Sequence, residues 1–426
     1  MAADLHRTID TLWRMEAPKV LAVLTRMLRD LDQAEELAQD ALVAALEHWP
    51  REGLPDNPAA WWMATAKRRA IDRLRQRQLH QRKHADIAFE LEGQVMAGPD
   101  STVQLDDAIG DDLLRLMFIA CHPVLPADSR VALTLRLLGG LSTAEIARAF
   151  LQPEATVAQR IVRAKRTLAQ KQVPYEVPRA EAMPERLASV LEAIYLVFNE
   201  GYAASAGDDW MRPALCEEAL RLARIMAHRL PVPPVLGLLA LMELQASRAA
   251  ARTDAQGTPV LLDQQNRARW DWLQIERGQQ ALARALAAGG GRDPYVLQAR
   301  IAACHAAARR AEDTDWARIA ALYAQLLQVM PSPVVALNRV VAVSRSDGAF
   351  AAWALLQPLL ADARLQGYAP LQVVRGDLLQ QLGRADDARA AFAAAAALTG
   401  NARERELLLL RAQRSGSALS SDRNGI

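Results

Sequence analysis

Apolar residues recur at three- and four-residue spacing along almost the whole chain, and β-branched alternation is scarce. That period belongs to one face of an α-helix rather than to a strand, so the expected fold class is all-α. A chain of 426 residues exceeds one ordinary core, and two or three domains are expected. The spacing predicts helices over 4–29, 33–48 and 57–80, with Pro50, Gly53, Pro55 and Pro58 marking the loop before the third. Residues 85–105 are acidic, contain Gly93 and Gly98-Pro99 and lack periodicity, as a flexible linker would. A second cluster of helices is predicted over 106–120, 127–138, 142–150 and 155–171, before a boundary punctuated by Pro174, Pro178 and Pro184. From 184 to 415 the chain reads as helices separated by Gly, Pro and Asp turns, and the tail 416–426 is expected to be disordered. The domains are thus 1–84, the linker 85–105, 106–173 and 184–415.

Charge is segregated, although the net value is only +2. An acidic block from Asp30 to Asp56 is relieved only by Arg51, and a basic block from Lys67 to Lys83 only by Asp72. Asp86 to Asp112 contains no base, and Arg160 to Lys171 no acid. Alternating blocks suggest more than one charged partner surface, against the plainer reading of solvated helix faces. Three distant cysteines argue for a reducing compartment. Asp4, Arg7 and Asp10 interrupt any apolar leader, and no stretch approaches the roughly 20 apolar residues of a membrane span. A cytoplasmic protein without membrane contact is expected.

Two segments carry recognition chemistry. Ser142 with Glu145 forms a capping box that starts a short helix. After the break at Gln152-Pro153 a second helix begins near Thr156. Val157, Ile161, Ala164 and Leu168 share its inward stripe, leaving Gln159, Arg160, Arg163 and Arg166 outward. This is a helix-turn-helix pattern, with Arg forks for guanine edges and phosphates and Gln for adenine. Earlier, Trp61 and Trp62 point about 100° apart on one helix, so both cannot be equally buried. One is expected in the core; the other is free to stack on an unpaired base, beside the backbone-holding charges of Lys67, Arg68, Arg69, Arg73 and Arg75. The plainer alternative buries both rings and leaves the basic run in solvent. Farther on, Gly376, Gly383, Ala388, Phe392 and Ala395 fall at the small and aromatic positions of a tetratricopeptide repeat of about 34 residues. There, small residues let the helices of a pair approach, and the aromatic fills the gap to the next pair. Gly348 sits about one repeat length before Gly383.

In order and spacing, residues 10–171 resemble an extracytoplasmic-function (ECF) sigma factor of the sigma-70 family. Gln33-Ala34-Glu35-Glu36-Leu37-Ala38-Gln39-Asp40 looks like the family's polymerase-binding helix, Ala60-Trp61-Trp62 through Arg75 like its minus-ten reader, and 141–169 like its minus-thirty-five reader. The segments Leu196-Val197-Phe198-Asn199-Glu200-Gly201-Tyr202, Ala302-Ala303-Cys304-His305-Ala306, Pro331-Ser332-Pro333-Val334-Val335-Ala336-Leu337-Asn338-Arg339 and Ala397-Leu398-Thr399-Gly400-Asn401 resemble a subgroup with a tetratricopeptide-like extension. Arg68 stands where many members have Asn, and Gln152-Pro153 replaces the common Gly of the turn. The resemblance implies that Asp32, Glu35, Glu36, Gln39 and Asp40 dock on core RNA polymerase at its beta-prime clamp, with the beta flap as a further partner. It implies that Asp56 and Asn57, with Trp61, Trp62 and the basic run, engage the melted minus-ten strand of promoter DNA. Ser142, Thr156, Gln159, Arg160, Arg163 and Arg166 would then engage the minus-thirty-five duplex. The extension is expected to control activity, through an intramolecular or protein partner.

The competing class is a helix-turn-helix regulator with a repeat-type sensor domain, acting on duplex DNA alone. No catalytic residue, cofactor or metal is expected. Cys121-His122 and Cys304-His305 are adjacent pairs whose side chains diverge on a helix, and neither has metal-ligand spacing. No phosphate-binding Gly loop or nucleophile elbow is present.

Overall fold

The computed structural model describes residues 2–82 and 102–417, in two compact units, Met1–Ile194 and Tyr195–Ile426. Most of the predicted acidic linker, and the tail from 418, lie outside the described residues.

Among its described residues the first unit is helical. Helices α1 (Ala2–Leu28), α2 (Leu31–Glu52) and α3 (Pro58–Arg82) pack on one another, and α1 also packs on α4 (Thr102–Ala120). Ala34, Ala38, Ala41 and Ala45 of α2 and Ala66 and Ala70 of α3 are buried, and their small side chains permit the close approach. Asp30 caps α2 by accepting the Gln33 N–H at 3.1 Å, and Gly53, at φ 88°, ends it. The helix continues through Pro50, so the loop before α3 is shorter than predicted. The missing Pro50 N–H forfeits one helical bond, while its neighbour Trp49 is only 2% exposed and anchors the turn in the core.

Next come α5 (Ala127–Leu137), α6 (Thr143–Ala149) and α7 (Glu154–Gln170). Ser142 and Glu145 make both halves of the predicted capping box. Without a Gly, the turn places Leu151 at φ 49°, a left-handed position that costs a non-Gly residue roughly 1–2 kcal/mol. The Gln152 N–H closes it by donating to the Ala147 carbonyl at 2.9 Å. Helix α8 (Met183–Tyr202) begins in this unit. Its Ser189 hydroxyl donates to the Cys121 carbonyl, its Glu192 pairs with Arg130 at 2.9 Å, and Arg186 donates to the Phe118 carbonyl at 2.7 Å.

The second unit continues with α9 (Pro213–Arg229), α10 (Pro233–Ala246), α11 (Trp272–Ala287), α12 (Pro294–Ala307), α13 (Trp316–Val329), α14 (Pro333–Ser346), α15 (Ala349–Leu360), α16 (Ala369–Gln381), α17 (Ala385–Leu398) and α18 (Ala402–Ser417). Most of these helices pack on their neighbours in the chain, while α12 packs chiefly on α10, as stacked helical hairpins do. Pro at N1 or N2 starts α9, α10, α12, α14 and α16, where its absent N–H costs nothing. Gly376 is required by proximity: a Cβ there would lie 2.6 Å from the Phe392 ring. Phe392 therefore fills the space inside its own α16–α17 pair, rather than only the gap to the next one. Gly201 is required for the same reason, since its Cβ would meet the Cys216 backbone nitrogen at 2.6 Å.

Two features depart from a plain succession of helices. Strands β1 (Ala206–Gly207) and β2 (Gly400–Asn401) pair in parallel, so the end of the unit returns to its beginning. Buried Asn401 secures this closure by donating to the carbonyls of Ala204 and Asp209, at 3.2 and 2.8 Å. The long connection between α10 and α11 is pinned by arginines. Buried Arg267 donates to the carbonyls of His305 and Ala308 and lies over the Trp270 ring, while Arg252 lies over Tyr202.

His305 packs edge-on against Trp316, with ring centroids 5.2 Å apart. Burial, with Arg248 and Arg267 nearby, pushes its pKa down to about 4. An unfolded histidine titrates near 6.5, so the neutral ring contributes its full stability above that pH and loses it as the pH falls toward 4. The stability of the second unit is expected to decline across that window by up to about 1.4 kcal/mol per pH unit. Urea melts of the wild type and His305→Asn, compared between about pH 7 and about pH 4.5, check this. The variant is expected to lose less stability on acidification.

Candidate core-docking and nucleic-acid interfaces

The acidic face of α2 is in place, but it is not vacant. Glu36 pairs with Arg73 at 3.0 Å and Asp40 with Arg69 at 3.4 Å, so α2 and α3 are ion-paired neighbours. Lys165 of α7 reaches Asp32 at 2.8 Å and also pairs with Glu35. Arg136 of α5 donates to Glu35 at 3.1 Å. Glu35 is buried at 8% exposure, so the predicted docking face holds a carboxylate already enclosed by two cations of the helix-turn-helix region. Burial opposes the Lys165 charge, but Glu35 and Asp32 outweigh it and hold its pKa above the ordinary lysine value. Gln39 is exposed.

Further contacts bind the two helical clusters of this unit. Arg14 of α1 donates to Glu145 at 2.7 Å, and Arg26 donates to buried Asp112 at 2.9 Å. The Tyr175 hydroxyl lies 2.7 Å from the Ala22 carbonyl and 2.9 Å from that of Asp112. Gly140 sits against the Arg14 backbone, where a Cβ would lie 3.2 Å from the carbonyl oxygen.

The Trp/Arg helix divides as helical geometry requires, and it corrects part of the expected site. Trp62 is 0% exposed, between Trp13 and Trp49 at centroid distances of 5.5 and 4.8 Å. It has no face for a base, whereas Trp61 is half-buried against Trp49 and His48. Lys67 is also turned inward: burial and Arg26 lower its pKa, against the pull of Asp112. Arg69 and Arg73 are committed to α2, while Arg68 and Arg75, with Arg77 beyond them, are exposed. Asn57 caps α3, accepting the Ala60 N–H at 3.0 Å, and Asp56 is exposed beside it.

In α7, Val157, Ile161, Ala164 and Leu168 are buried, while Thr156, Gln159, Arg163 and Arg166 are exposed. Arg160 is only partly outward, because it donates to Gln152 at 2.9 Å and lies 3.7 Å from Asp128. Ser142 is a cap whose hydroxyl is held by Glu145, not a free donor. Burial opposes the Glu145 charge, yet the Ser142 N–H and hydroxyl, with Arg14, hold the carboxyl below its usual pKa. The sequence reading passed over Val162, which is 63% exposed and lies i+3 from Gln159 and i+4 before Arg166. Helical spacing alone places it on that stripe.

Burial pushes the Cys121 thiol up to about 11 and raises that of Cys304. Among the described residues no group of His, Cys, Asp and Glu could hold a metal, and no helix is long and apolar enough to cross a membrane.

Comparison with known proteins matches this architecture. Residues 12–80 match the model of sigma-70 region 2, and residues 115–168 that of sigma-70 region 4. Residues 186–286 match a family of unknown function, DUF6596. An uncharacterized protein of Rhizobium meliloti is 44% identical over 393 residues, covering 91% of each chain. The ECF RNA polymerase sigma factors SigK of Mycobacterium ulcerans and Mycobacterium tuberculosis are each 29% identical over 154 residues, covering 35% of this chain and 78% of theirs. No solved structure matches.

Helical modules with these two matches, in this order, define a bacterial transcription initiation factor. The chain belongs to the ECF branch of the sigma-70 family, in a form carrying a helical C-terminal extension. Its partners are core RNA polymerase and promoter DNA. A regulator working on duplex DNA alone is not favoured, since residues 12–80 match a polymerase-associated region that such a protein has no need of.

Proposed function

We propose that the α2 face, through Asp32, Glu35, Glu36, Gln39 and Asp40, docks on the beta-prime clamp of core polymerase, with the beta flap as the second contact. Trp61, Asp56, Asn57, Arg68 and Arg75 then hold the melted minus-ten strand. Thr156, Gln159, Arg163 and Arg166 read the minus-thirty-five duplex, with Val162 available to a thymine methyl group. The observation that carries this reading is the separation of α7 into a buried apolar stripe and an exposed stripe of Gln and Arg. Unstacking a base costs a few kcal/mol, so a site for the open strand shifts melting toward the open complex. Phosphate contacts by the arginines position the factor, and Gln159 and Val162 discriminate bases.

The extension has the hairpin organisation of tetratricopeptide-like repeats, and it governs activity through α8. The contacts of Arg186, Ser189 and Glu192 with α4, α5 and the turn between them support that route.

Run-off transcription with purified core polymerase on the gene's own upstream region tests the function. The full chain is expected to direct a discrete start. Glu36→Lys combined with Asp40→Lys is expected to weaken core binding by about a hundredfold, because like charges at a docking face cost several kcal/mol. A chain that never associates with core, or a double variant that binds as the wild type does, overturns this assignment.

A further inference from the structure

Part of the face assigned to polymerase, at Glu35 and Asp32, is held by the chain's own minus-thirty-five module. We propose that Lys165 and Arg136 form an electrostatic latch on Glu35 and Asp32, and that the cationic surface of polymerase must displace them for the factor to open. This rests on the docking reading above.

Several observations converge on the latch. Glu35 is enclosed, and its two cationic partners come from different helices, α5 and α7, of one module. Lys165 is only 13% exposed, although it lies on the basic helix whose Arg163 and Arg166 face outward. Its inward direction is therefore not that of a DNA-contacting residue. Arg136 also donates to the Leu141 carbonyl at 3.2 Å, which ties the entry of the helix-turn-helix to the same carboxylate. Arg14 to Glu145 and Arg26 to Asp112 hold α1 to α6 and α4, so the closed form is fastened at separate points.

The chemistry suits exchange rather than permanent packing. Breaking a buried pair is costly if one charge is left alone, but a cation that takes the first one's place leaves no charge unpaired. A polymerase surface that supplies lysine or arginine to Glu35 and Asp32 satisfies those carboxylates as Lys165 and Arg136 do. The released module regains two cations and its freedom to reach a separate DNA element. A factor that spends most of its time closed binds core more weakly in proportion to its open fraction.

The test uses the full-length chain. A zero-length carbodiimide reagent joins an amine to a carboxylate only in direct contact, so it reports Lys165 bonded to Asp32 or Glu35. The cross-link is expected in the free chain by mass spectrometry and is expected to disappear when core polymerase is bound first. Arg136→Gln with Lys165→Gln is expected to bind core about tenfold more tightly, following the larger open fraction. Arg136→Met with Lys165→Met keeps the aliphatic packing and serves if the first pair folds poorly. A cross-link that persists in the core-bound factor, or folded variants that bind core no better than the wild type, overturns the latch. A chain that shows the cross-link and never binds core overturns the docking assignment instead.

Discussion

Replacing Trp62 with Ala is expected to cost the first unit about 3–5 kcal/mol, as large aromatic-to-alanine changes in a core do. Trp62 has no exposed surface, and its ring contacts Trp13 edge-on and Trp49 at a tilt. A typical domain holds only about 5–15 kcal/mol in total, so this one change removes a large share. Chemical denaturation followed by circular dichroism should show an earlier transition for the first unit and little change for the second. Trp62→Phe should fare much better, because the buried indole N–H has no hydrogen-bond partner to lose. Trp61→Ala should behave in the opposite sense. Its ring is half-buried, so the stability loss stays in the ordinary range of about 0.5–3 kcal/mol, while initiation from duplex template falls more than from a pre-melted one. If Trp61→Ala proves the more destabilising of the two, the division of roles between the rings is wrong.

Asn401→Ala is the second large effect, expected at about 2–4 kcal/mol in the second unit. The side chain donates to two carbonyls near the start of the unit and accepts the N–H groups of Arg403 and Glu404 at 3.0 and 3.2 Å, which caps α18. Truncation leaves buried polar groups unpaired and removes the cap at once. Hydrogen exchange should accelerate in α18 and around Ala206, with little change in α12 and α13. Asn401→Asp provides the control: it keeps the cap but presents a carboxylate to two carbonyl oxygens. It should therefore destabilise too, whereas a residue acting only as a cap would tolerate Asp.

The helices were legible because their causes are local. The Ser142–Glu145 box and the apolar stripe of α7 each depend on residues within a few turns, whereas Phe392, expected in the gap to the next pair, packs on Gly376 inside its own pair. The partition of Trp61 and Trp62 was legible as a rule, one inward and one outward, but not as an assignment. That needed Trp49 of α2 and Trp13 of α1, which no local spacing brings near. The basic run shows the same limit. The five cations from Lys67 to Arg75 read as one surface, yet Lys67 turns toward Arg26 and Asp112, and Arg69 and Arg73 toward α2. A helix spreads successive residues around its axis, so a run in sequence is never one face in space.

What the amino-acid order determined unaided is the set of helices, their caps and the chemistry each could offer. These follow from hydrogen bonds and side-chain periods that close within a turn or two. Which charges are spent on one another was decided only by tertiary packing: Glu35 against Lys165 and Arg136, and Asn401 against the opening of its own unit. The physical reason is range, because a carboxylate settles on whichever cation the fold delivers, and the fold delivers partners more than a hundred residues away.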